Sequence, residues 1–515
     1  MEVAENKTDF FKNPLIIAFA ISSVKIILFL IAGTAYGYFR DELYFLESTN
    51  HIALGYPDHS PLSIWIGKFS LFIFGDSLYA IHLLPTLSGA LKIILTGFLV
   101  REFGGKHFAT FLACLCVLVA PVYLAIDSLM AMNTYEPIFW MGCVLSYVWV
   151  KKRENPKYWM LFGAFAGLGL MNKHSLVFFG VAFVIGLLLT KDRKFFANKY
   201  LWLGGLIAFI LFLPNLFWQY QNDWATLELL RNVSESGKNV VVSPIGFLFQ
   251  QVFILLPFTA PIWLAGIWYL LFNEKGKRFR TLGFAYLITL VLMIIFKAKH
   301  YYLAPIYPFL FAAGGVFWEN LLARFRFGRL VKYAYPLILI IFGAMFAPIA
   351  LPILPIETFI NYQKTLGIEP PKTEVAFEGV LPQQFGDMFG WEEMTAKTSE
   401  VYNSLSPEER EKAAIFASNY GEAGAIDFFG KKYGLPKAIS PHQSYYLWGT
   451  KNYDGSILIT LGFSKEQAEK YCGSVEEKTQ VGHSLAMKYE DFNILVCRDL
   501  KEPFPEFWKK IKNWN

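Results

Sequence analysis

Apolar segments long enough to cross a lipid bilayer recur through the first two thirds of the chain. A spanning helix needs about 20 apolar residues, and about eleven segments of the 515-residue chain are near this length. In a bilayer the backbone has no water to bind, so an apolar segment crosses it as a helix. We therefore predict a polytopic α-helical membrane protein, with spans at about 14–36, 77–100, 108–125, 134–150, 157–171, 175–190, 200–218, 244–271, 280–296, 303–321 and 333–351.

Charged residues are unevenly distributed along the chain. They make up 17% of it, against roughly a quarter in soluble domains, and the deficit lies before about residue 352. A proline-rich stretch, PILPIETF, follows the last predicted span. The sequence thus predicts a transmembrane domain at 1–351 and a small soluble α+β domain at 352–515. In the second domain, 407–417 and 423–433 are helix-like, and 456–461 and 492–497 are strand-like.

The distribution of Lys and Arg predicts the orientation in the membrane. About twenty of them lie in the N-terminal segment and in alternate short loops, against roughly seven in the other loops, which places the first set in the cytoplasm. The N-terminus is then cytoplasmic. An odd number of spans places the first large loop, 37–76, and the domain after 352 outside the cytoplasm. Cys472 and Cys497 could pair there, although spacing alone does not establish it.

The first outer loop combines charged and aromatic residues, and we expect it to carry chemistry. Arg40, Asp41 and Glu42 follow an aromatic stretch, and Asp58 and His59 precede the next apolar run. Carboxylates near hydrocarbon are costly and usually mark function. Two adjacent carboxylates also push their pKa values apart, which suits a general base. The alternative is a solvated loop beside the membrane.

Polar residues also stand at the predicted outer ends of later spans. Asn133 and Glu136 are three residues apart and would share a helix face, although capping of that helix explains them equally well. Lys173 interrupts an apolar hairpin. It could have a functional role, or it could simply lie in a solvated turn. Lys299 and His300 lie on the side that the charge bias depletes, beside Tyr301. They predict an anionic ligand such as phosphate, and snorkelling to lipid headgroups is the simpler explanation.

Several motifs together resemble bacterial family 39 glycosyltransferases. These are RDELY at 40–44, GYPDHSPL at 55–62, LMNKHS at 170–175, FLPN at 212–215 and KHYYLAPIYP at 299–308. The family is related to protein O-mannosyltransferases and to the aminoarabinose transferase of lipid A. The resemblance covers essentially all of the membrane part, and the first-loop motifs are the most specific. It implies the type C glycosyltransferase fold, with about eleven transmembrane helices.

The resemblance also implies an activity and a set of site residues. A sugar would pass from a polyprenyl-phosphate donor to an acceptor hydroxyl of a lipid, glycan or protein at the outer face of the cytoplasmic membrane. The resemblance leaves open whether a divalent cation binds between the first loop and the start of the fourth span, and it implies no other cofactor. Asp41 would be the base, with Glu42 beside it; the donor-phosphate residues would be Arg40, Lys173, Lys299, His300 and Tyr301, and the substrate-binding residues Asp58, His59, Asn133 and Glu136.

Two other classes of function compete with a transferase. A transporter or flippase would also have many spans and polar groups, but its site usually lies at the bilayer midplane between repeated halves. Here the polar residues gather at one face, and the sequence has no visible repeat. A catalytically inactive assembly subunit is the third alternative, which the presence of Asp41 and Glu42 disfavours. The absence of Gly-rich phosphate loops and of Cys/His clusters argues against a nucleotide-driven pump.

Overall fold

The segments predicted to cross the membrane fold as helices. The computed structural model describes residues 13–32, 36–369, 374–375, 379–486 and 492–515. Within these, five helices are long and apolar enough to span a bilayer, or six if a bent pair is one span. The helices that correspond to the predicted spans are Leu15–Ala32, Leu78–Phe103, His107–Val119 with Pro121–Ile126, Met132–Arg153, Tyr158–Asn172, Leu176–Leu188, Lys199–Gln221, Pro244–Ile254 with Ala260–Phe272, Arg280–Ile295, Tyr307–Leu322 and Gly328–Ala350.

Two of the predicted spans are interrupted where a residue precedes proline. Proline disfavours the helical conformation of the residue before it. Ala120, which precedes Pro121, is extended and separates two helices inside 108–125. Leu256, which precedes Pro257, has a φ of 70°, and the flanking helices bend by 91°. The prediction of one continuous helix was therefore wrong at both places.

The chain divides into two compact units. The first unit contains Met1–Gly33, Tyr79–Leu216 and Val241–Ile353, and the second contains Thr34–Leu78, Phe217–Val240 and Leu354–Asn515. The helices of the first unit approach each other closely at glycines: a Cβ on Gly266 would overlap the backbone of Leu310, and one on Gly314 the backbone of Ile262. Small residues permit such approach, which favours helix association in a bilayer.

A four-stranded mixed sheet forms the centre of the C-terminal part of the second unit. The strands are β1 (Ala413–Ala417), β2 (Ile457–Leu461), β3 (Cys472–Val481) and β4 (Phe492–Leu500), in the order β1-β2-β4-β3. β1 and β2 are parallel, and the other neighbouring pairs are antiparallel. A disulfide joins Cys472 to Cys497. The helices of this unit, besides the end of Lys199–Gln221, are Arg40–Ser48, Leu62–Phe74, Ala225–Ser236, Ile356–Thr365, Gln383–Gly386, Trp391–Ser404, Pro407–Lys412, Tyr420–Phe429, Ser444–Trp448, Lys465–Tyr471 and Phe504–Lys510.

The sheet corrects part of the secondary-structure prediction. The helix predicted at 407–417 ends at Lys412, and the following residues form β1, all of them buried. A strand buried on both faces lacks the polar–apolar alternation that identifies strands in a sequence. The strands predicted at 456–461 and 492–497 are present as β2 and β4, whereas β3 was not predicted.

Two helices lie within the segment 37–76 that was predicted as a loop. Arg40–Ser48 is one of them, and its start is fixed by a cap: the Phe39 N–H donates to Oε2 of Glu42 at 3.0 Å. This helix packs against Tyr420–Phe429 through glycine, because a Cβ on Gly424 would come within 2.8 Å of the Leu43 carbonyl carbon. The close approach of the two helices brings Tyr420 to Asp41.

Candidate active-site clusters

Asp41 lies at the start of helix Arg40–Ser48 and is held by two neighbours. The Tyr420 hydroxyl donates to its Oδ1 at 2.8 Å, and Arg40 Nε lies 3.6 Å from the same oxygen. The Asp41 side chain is 37% exposed, in contrast to the buried Glu42 that follows it. An exposed carboxylate fixed by a hydrogen bond and a neighbouring cation can accept a proton from a bound hydroxyl.

Arg40 is surrounded by carboxylates and by an aromatic ring. Its guanidinium lies 3.7 Å from Asp387 Oδ2 and 3.9 Å from Glu374 Oε1, and 5.7 Å from the centre of the Tyr420 ring. Its backbone N–H donates to the Asp387 carbonyl at 3.0 Å. These contacts fix the position of Arg40 and partly neutralise its charge. They favour orientation of Asp41 over binding of a phosphate, so the phosphate role of Arg40 stays a prediction.

Tyr420 is itself positioned by His442. The two rings stack with centres 4.8 Å apart, and the Tyr420 N–H donates to Nδ1 of His442 at 3.3 Å. Burial, with a smaller contribution from Lys238, lowers the pKa of His442 to about 3, so the imidazole is neutral at pH 7. Burial raises the pKa of Tyr420 well above its usual value, which keeps its hydroxyl protonated and donating. Neither Tyr420 nor His442 was predicted from the sequence, because no spacing rule connects residues so far along the chain with Asp41.

Asp58 and His59 also lie in the second unit and approach the Asp41 side of helix Arg40–Ser48 through Tyr44, whose ring centre lies 4.9 Å from that of Tyr420. The Tyr44 hydroxyl donates to Oδ1 of Asp58 at 2.9 Å, and His59 Nε2 lies 3.8 Å from the same atom. Burial raises the pKa of Asp58 and lowers the pKa of His59, and each of the two residues opposes the shift of the other. At 3.8 Å the two side chains interact by charge and are too far apart for a hydrogen bond. Within the described residues no group of three or more His, Cys, Asp or Glu side chains could hold a metal ion.

Lys173 forms the centre of a polar cluster in the first unit. Its Nζ donates to Asn133 Oδ1 at 2.5 Å and to Glu136 Oε2 at 3.0 Å, and lies 4.1 Å from the Tyr302 ring centre. The Ser175 hydroxyl also donates to Glu136. The predicted common face of Asn133 and Glu136 is confirmed, and the capping alternative is wrong for Asn133, since Ala131 occupies the N-cap position.

The motif LMNKHS contributes further contacts to this cluster. The Asn172 side-chain amide donates to the Met132 carbonyl at 2.8 Å, which joins the hairpin to the start of helix Met132–Arg153. His174 Nε2 lies 3.0 Å from Oδ1 of Asn215, a residue of the motif FLPN. A solvated turn would leave these side chains exposed, whereas Asn172, Lys173 and Asn215 are buried.

Lys299, His300 and Tyr301 lie together at the beginning of a 3₁₀ helix, His300–Ile306. All three are half-buried. Burial, together with the charge of Lys299, lowers the pKa of His300 to about 4, so the imidazole is neutral at pH 7. The Gln251 amide donates to the His300 carbonyl at 3.0 Å and fixes the backbone here. Lys299 is thus the cation of this group, and His300 contributes hydrogen bonding.

A buried charge cluster that was not predicted from the sequence lies in the first unit. Asp127 Oδ1 accepts from Lys92 Nζ at 2.7 Å, and its Oδ2 lies 3.1 Å from Lys25 Nζ. Lys25 also donates to the Tyr123 carbonyl at 2.8 Å. The sequence could have indicated this cluster, because charged residues inside apolar segments usually pair with each other or mark a functional site.

The fold defined by these units is that of the type C glycosyltransferases. The crystal structure of ArnT from Cupriavidus metallidurans bound to undecaprenyl phosphate superposes with a TM-score of 0.60, over 93% of this chain and 97% of that chain, at 12% identity. The same protein in the apo state gives a TM-score of 0.59 at 11% identity, with the same coverage. The predicted fold class is confirmed, and the chain is a multi-pass membrane protein.

Sequence comparison also finds similarity to glycosyltransferases. The family model of dolichyl-phosphate-mannose-protein mannosyltransferases matches residues 58–218. A lipid A galacturonosyltransferase of Rhizobium johnstonii is 24% identical over 213 residues, which is 39% of this chain and 43% of that relative. The match thus spans less than half of the relative's length. The resemblance to family 39 glycosyltransferases, inferred from the motifs, is confirmed.

Proposed function

We propose that the protein transfers a sugar from a polyprenyl-phosphate donor to a hydroxyl group of an acceptor. The observation that carries this proposal is the state of Asp41: a carboxylate 37% exposed, fixed by the Tyr420 hydroxyl at 2.8 Å and by Arg40. The fold and the family resemblance support the same reaction. A donor of this kind already carries the activated sugar, so no nucleotide site is needed.

The reaction needs a base and a means of stabilising the leaving group. The acceptor oxygen attacks the anomeric carbon, and its proton passes to Asp41. The bond between the anomeric carbon and the phosphate oxygen breaks, and polyprenyl phosphate leaves with the bonding electrons. Negative charge therefore grows on the phosphate, where a cation is most effective. We assign this role to Lys299, and hydrogen bonding to the phosphate to His300 and Tyr301.

The remaining predicted site residues receive narrower roles. Glu42 is buried and caps its own helix through the Phe39 N–H, so we propose that it positions Asp41. Glu136 neutralises part of the charge of Lys173. We therefore propose that Lys173 holds this polar cluster in place for substrate binding and does not neutralise the phosphate directly. Asp58 and His59 remain proposed substrate-binding residues, because a carboxyl group and an imidazole can both hydrogen-bond to sugar hydroxyls.

A comparison of native membranes tests the proposed reaction. Lipids and glycans from cells with the wild-type protein should contain one sugar that is absent in cells with Asp41→Asn at equal protein level. A flippase without chemistry would form no glycosidic bond. Identical glycans and lipids in the two strains would therefore refute the proposed transferase activity, and a flippase would be the remaining hypothesis.

We propose that the membrane is the cytoplasmic membrane, that the N-terminus lies in the cytoplasm, and that the region after 352 lies outside. The Lys/Arg asymmetry supports this orientation. Ser234 and Ser406 are both exposed and suit labelling. With cysteine at either position, a membrane-impermeant thiol reagent should label intact cells. Protection of both positions in intact cells, with labelling after permeabilisation, would reverse the orientation.

Lys299→Ala should weaken binding of the polyprenyl-phosphate donor by about one to two decades. A hydrogen bond to a charged group contributes about 1.5–3 kcal/mol, and about 1.4 kcal/mol is one decade in affinity. The matched control is Lys297→Ala, because Lys297 is an exposed lysine two residues earlier. Donor binding to the purified variants measures the difference. Equal donor binding by both variants would show that Lys299 does not contact the donor phosphate and that it instead interacts with lipid headgroups.

A further inference from the structure

A cavity of about 660 Å³ opens beside the sheet of the second unit. This volume lies in the range of about 300–1,000 Å³ that is usual for small-ligand sites. Its wall combines aromatic side chains with hydroxyl, amide and ammonium groups. The polar side chains on this wall include Asn419, His442, Thr460, Lys470, Lys510 and Lys512.

Thr460 supplies a buried polar group on the wall of this cavity. The residue lies on β2 and is 4% exposed. Among the residues that the structure describes, its hydroxyl has no hydrogen-bond partner. A buried hydroxyl without a partner is unfavourable, and a ligand that binds it recovers the lost hydrogen bond.

The charged side chains on the cavity wall are lysines. Among the described residues that line the cavity, three are lysines and none is an aspartate or a glutamate. Lys510 and Lys512 form ion pairs with Glu502 and Glu228. Lys470 is exposed and, within the described part of the chain, forms no ion pair, so its charge is available to an anion.

The aromatic part of the wall suits a sugar ring. Tyr471 is 39% exposed, and Phe463 is half-buried and stacks on Phe416, with ring centres 5.1 Å apart. Aromatic faces with hydroxyl and amide groups around them bind a molecule that has both C–H and O–H surfaces. A carbohydrate has this character, and the lysines add a preference for one with a negative group.

The cavity adjoins the residues that position Asp41. His442 lines it and stacks on Tyr420, whose hydroxyl donates to Asp41 at 2.8 Å. Asn419, which caps the helix that begins at Tyr420, lines it as well. A ligand in the cavity would thus contact the neighbours of Tyr420.

We propose that this cavity binds a phosphate-bearing carbohydrate portion of the acceptor. This inference rests on the proposed function, since it names the substrate class that the C-terminal region selects. Lys470 binds the phosphate, and Thr460 donates to or accepts from a sugar oxygen. Lys470 and Thr460 are therefore specificity-determining residues.

Calorimetric titration of the full-length protein in detergent tests this proposal without the donor. The probes are maltose 1-phosphate, maltose and inorganic phosphate. Wild type and Asp41→Asn should both bind maltose 1-phosphate at least tenfold more tightly than either of the other two probes. Lys470→Gln should weaken that binding about tenfold, and Thr460→Val, which keeps the side-chain shape, should weaken it several-fold.

The matched control is Lys465→Gln, on the same short helix but outside the cavity wall. Its binding should equal that of wild type. Equal weakening by Lys465→Gln would indicate a general surface charge effect, and inorganic phosphate binding as tightly as maltose 1-phosphate would indicate an anion site only. Either result would overturn the proposal. Loss of probe binding with sugar transfer intact refutes this inference alone, whereas binding without any transfer refutes the proposed function alone.

Discussion

Asp41→Asn should reduce sugar transfer by about two to four decades, the usual contribution of a general base. The amide keeps the shape of the carboxylate and can still bond to the Tyr420 hydroxyl, but it does not accept a proton at neutral pH. Donor binding and protein level should be unchanged, because the contacts of Asp41 are with Arg40 and Tyr420 in its own unit. Single-turnover transfer by purified protein from a labelled polyprenyl-phosphate sugar measures the effect.

Two neighbouring variants serve as controls for the Asp41 result. Tyr420→Phe removes the donor to Oδ1 and should reduce transfer by much less, since the Asp41 carboxylate itself is still present. Glu42→Gln keeps an acceptor for the Phe39 N–H and should also have the smaller effect. A wild-type rate for Asp41→Asn, or a larger loss for Glu42→Gln, would show that the base is assigned to the wrong residue.

Asp127→Asn should destabilise the protein by about 3–5 kcal/mol, the usual cost of breaking a buried ion pair from one side. One carboxylate here faces two ammonium groups, Lys92 Nζ at 2.7 Å and Lys25 Nζ at 3.1 Å. All three residues are buried, so water does not replace the lost charge. Without the carboxylate the two lysines repel each other in an apolar environment. Denaturant unfolding in mixed micelles measures the loss of free energy.

A charge-free variant is the control for the Asp127 result. Replacing Asp127 by Leu together with Lys25→Met and Lys92→Met removes every charge of the cluster. Well-packed apolar residues often replace buried ion pairs without loss of stability, so the triple variant should recover most of the difference. An Asp127→Asn protein as stable as wild type would contradict the proposed structural role of this cluster.

The sequence by itself determined the class of fold and the kind of residue to examine. Apolar segments of spanning length permit only helices in a bilayer, so their positions could be read from the chain. Lys173, Asn133 and Glu136 were selected as polar residues at helix ends, and they do lie together in the first unit. Helical spacing and the cost of a charge near hydrocarbon are local properties, which a sequence carries directly.

Only the tertiary structure decided which of these side chains act together. The contact of Asp41 with Tyr420 depends on the packing of two helices at Gly424, and no periodicity predicts it. The difference in burial between the adjacent carboxylates is also tertiary: the Asp41 side chain is 37% exposed, whereas Glu42 is buried and caps its helix. Exposure, pairing and pKa follow from what surrounds a group in space. Those surroundings come from distant parts of the chain, and the sequence alone does not state them.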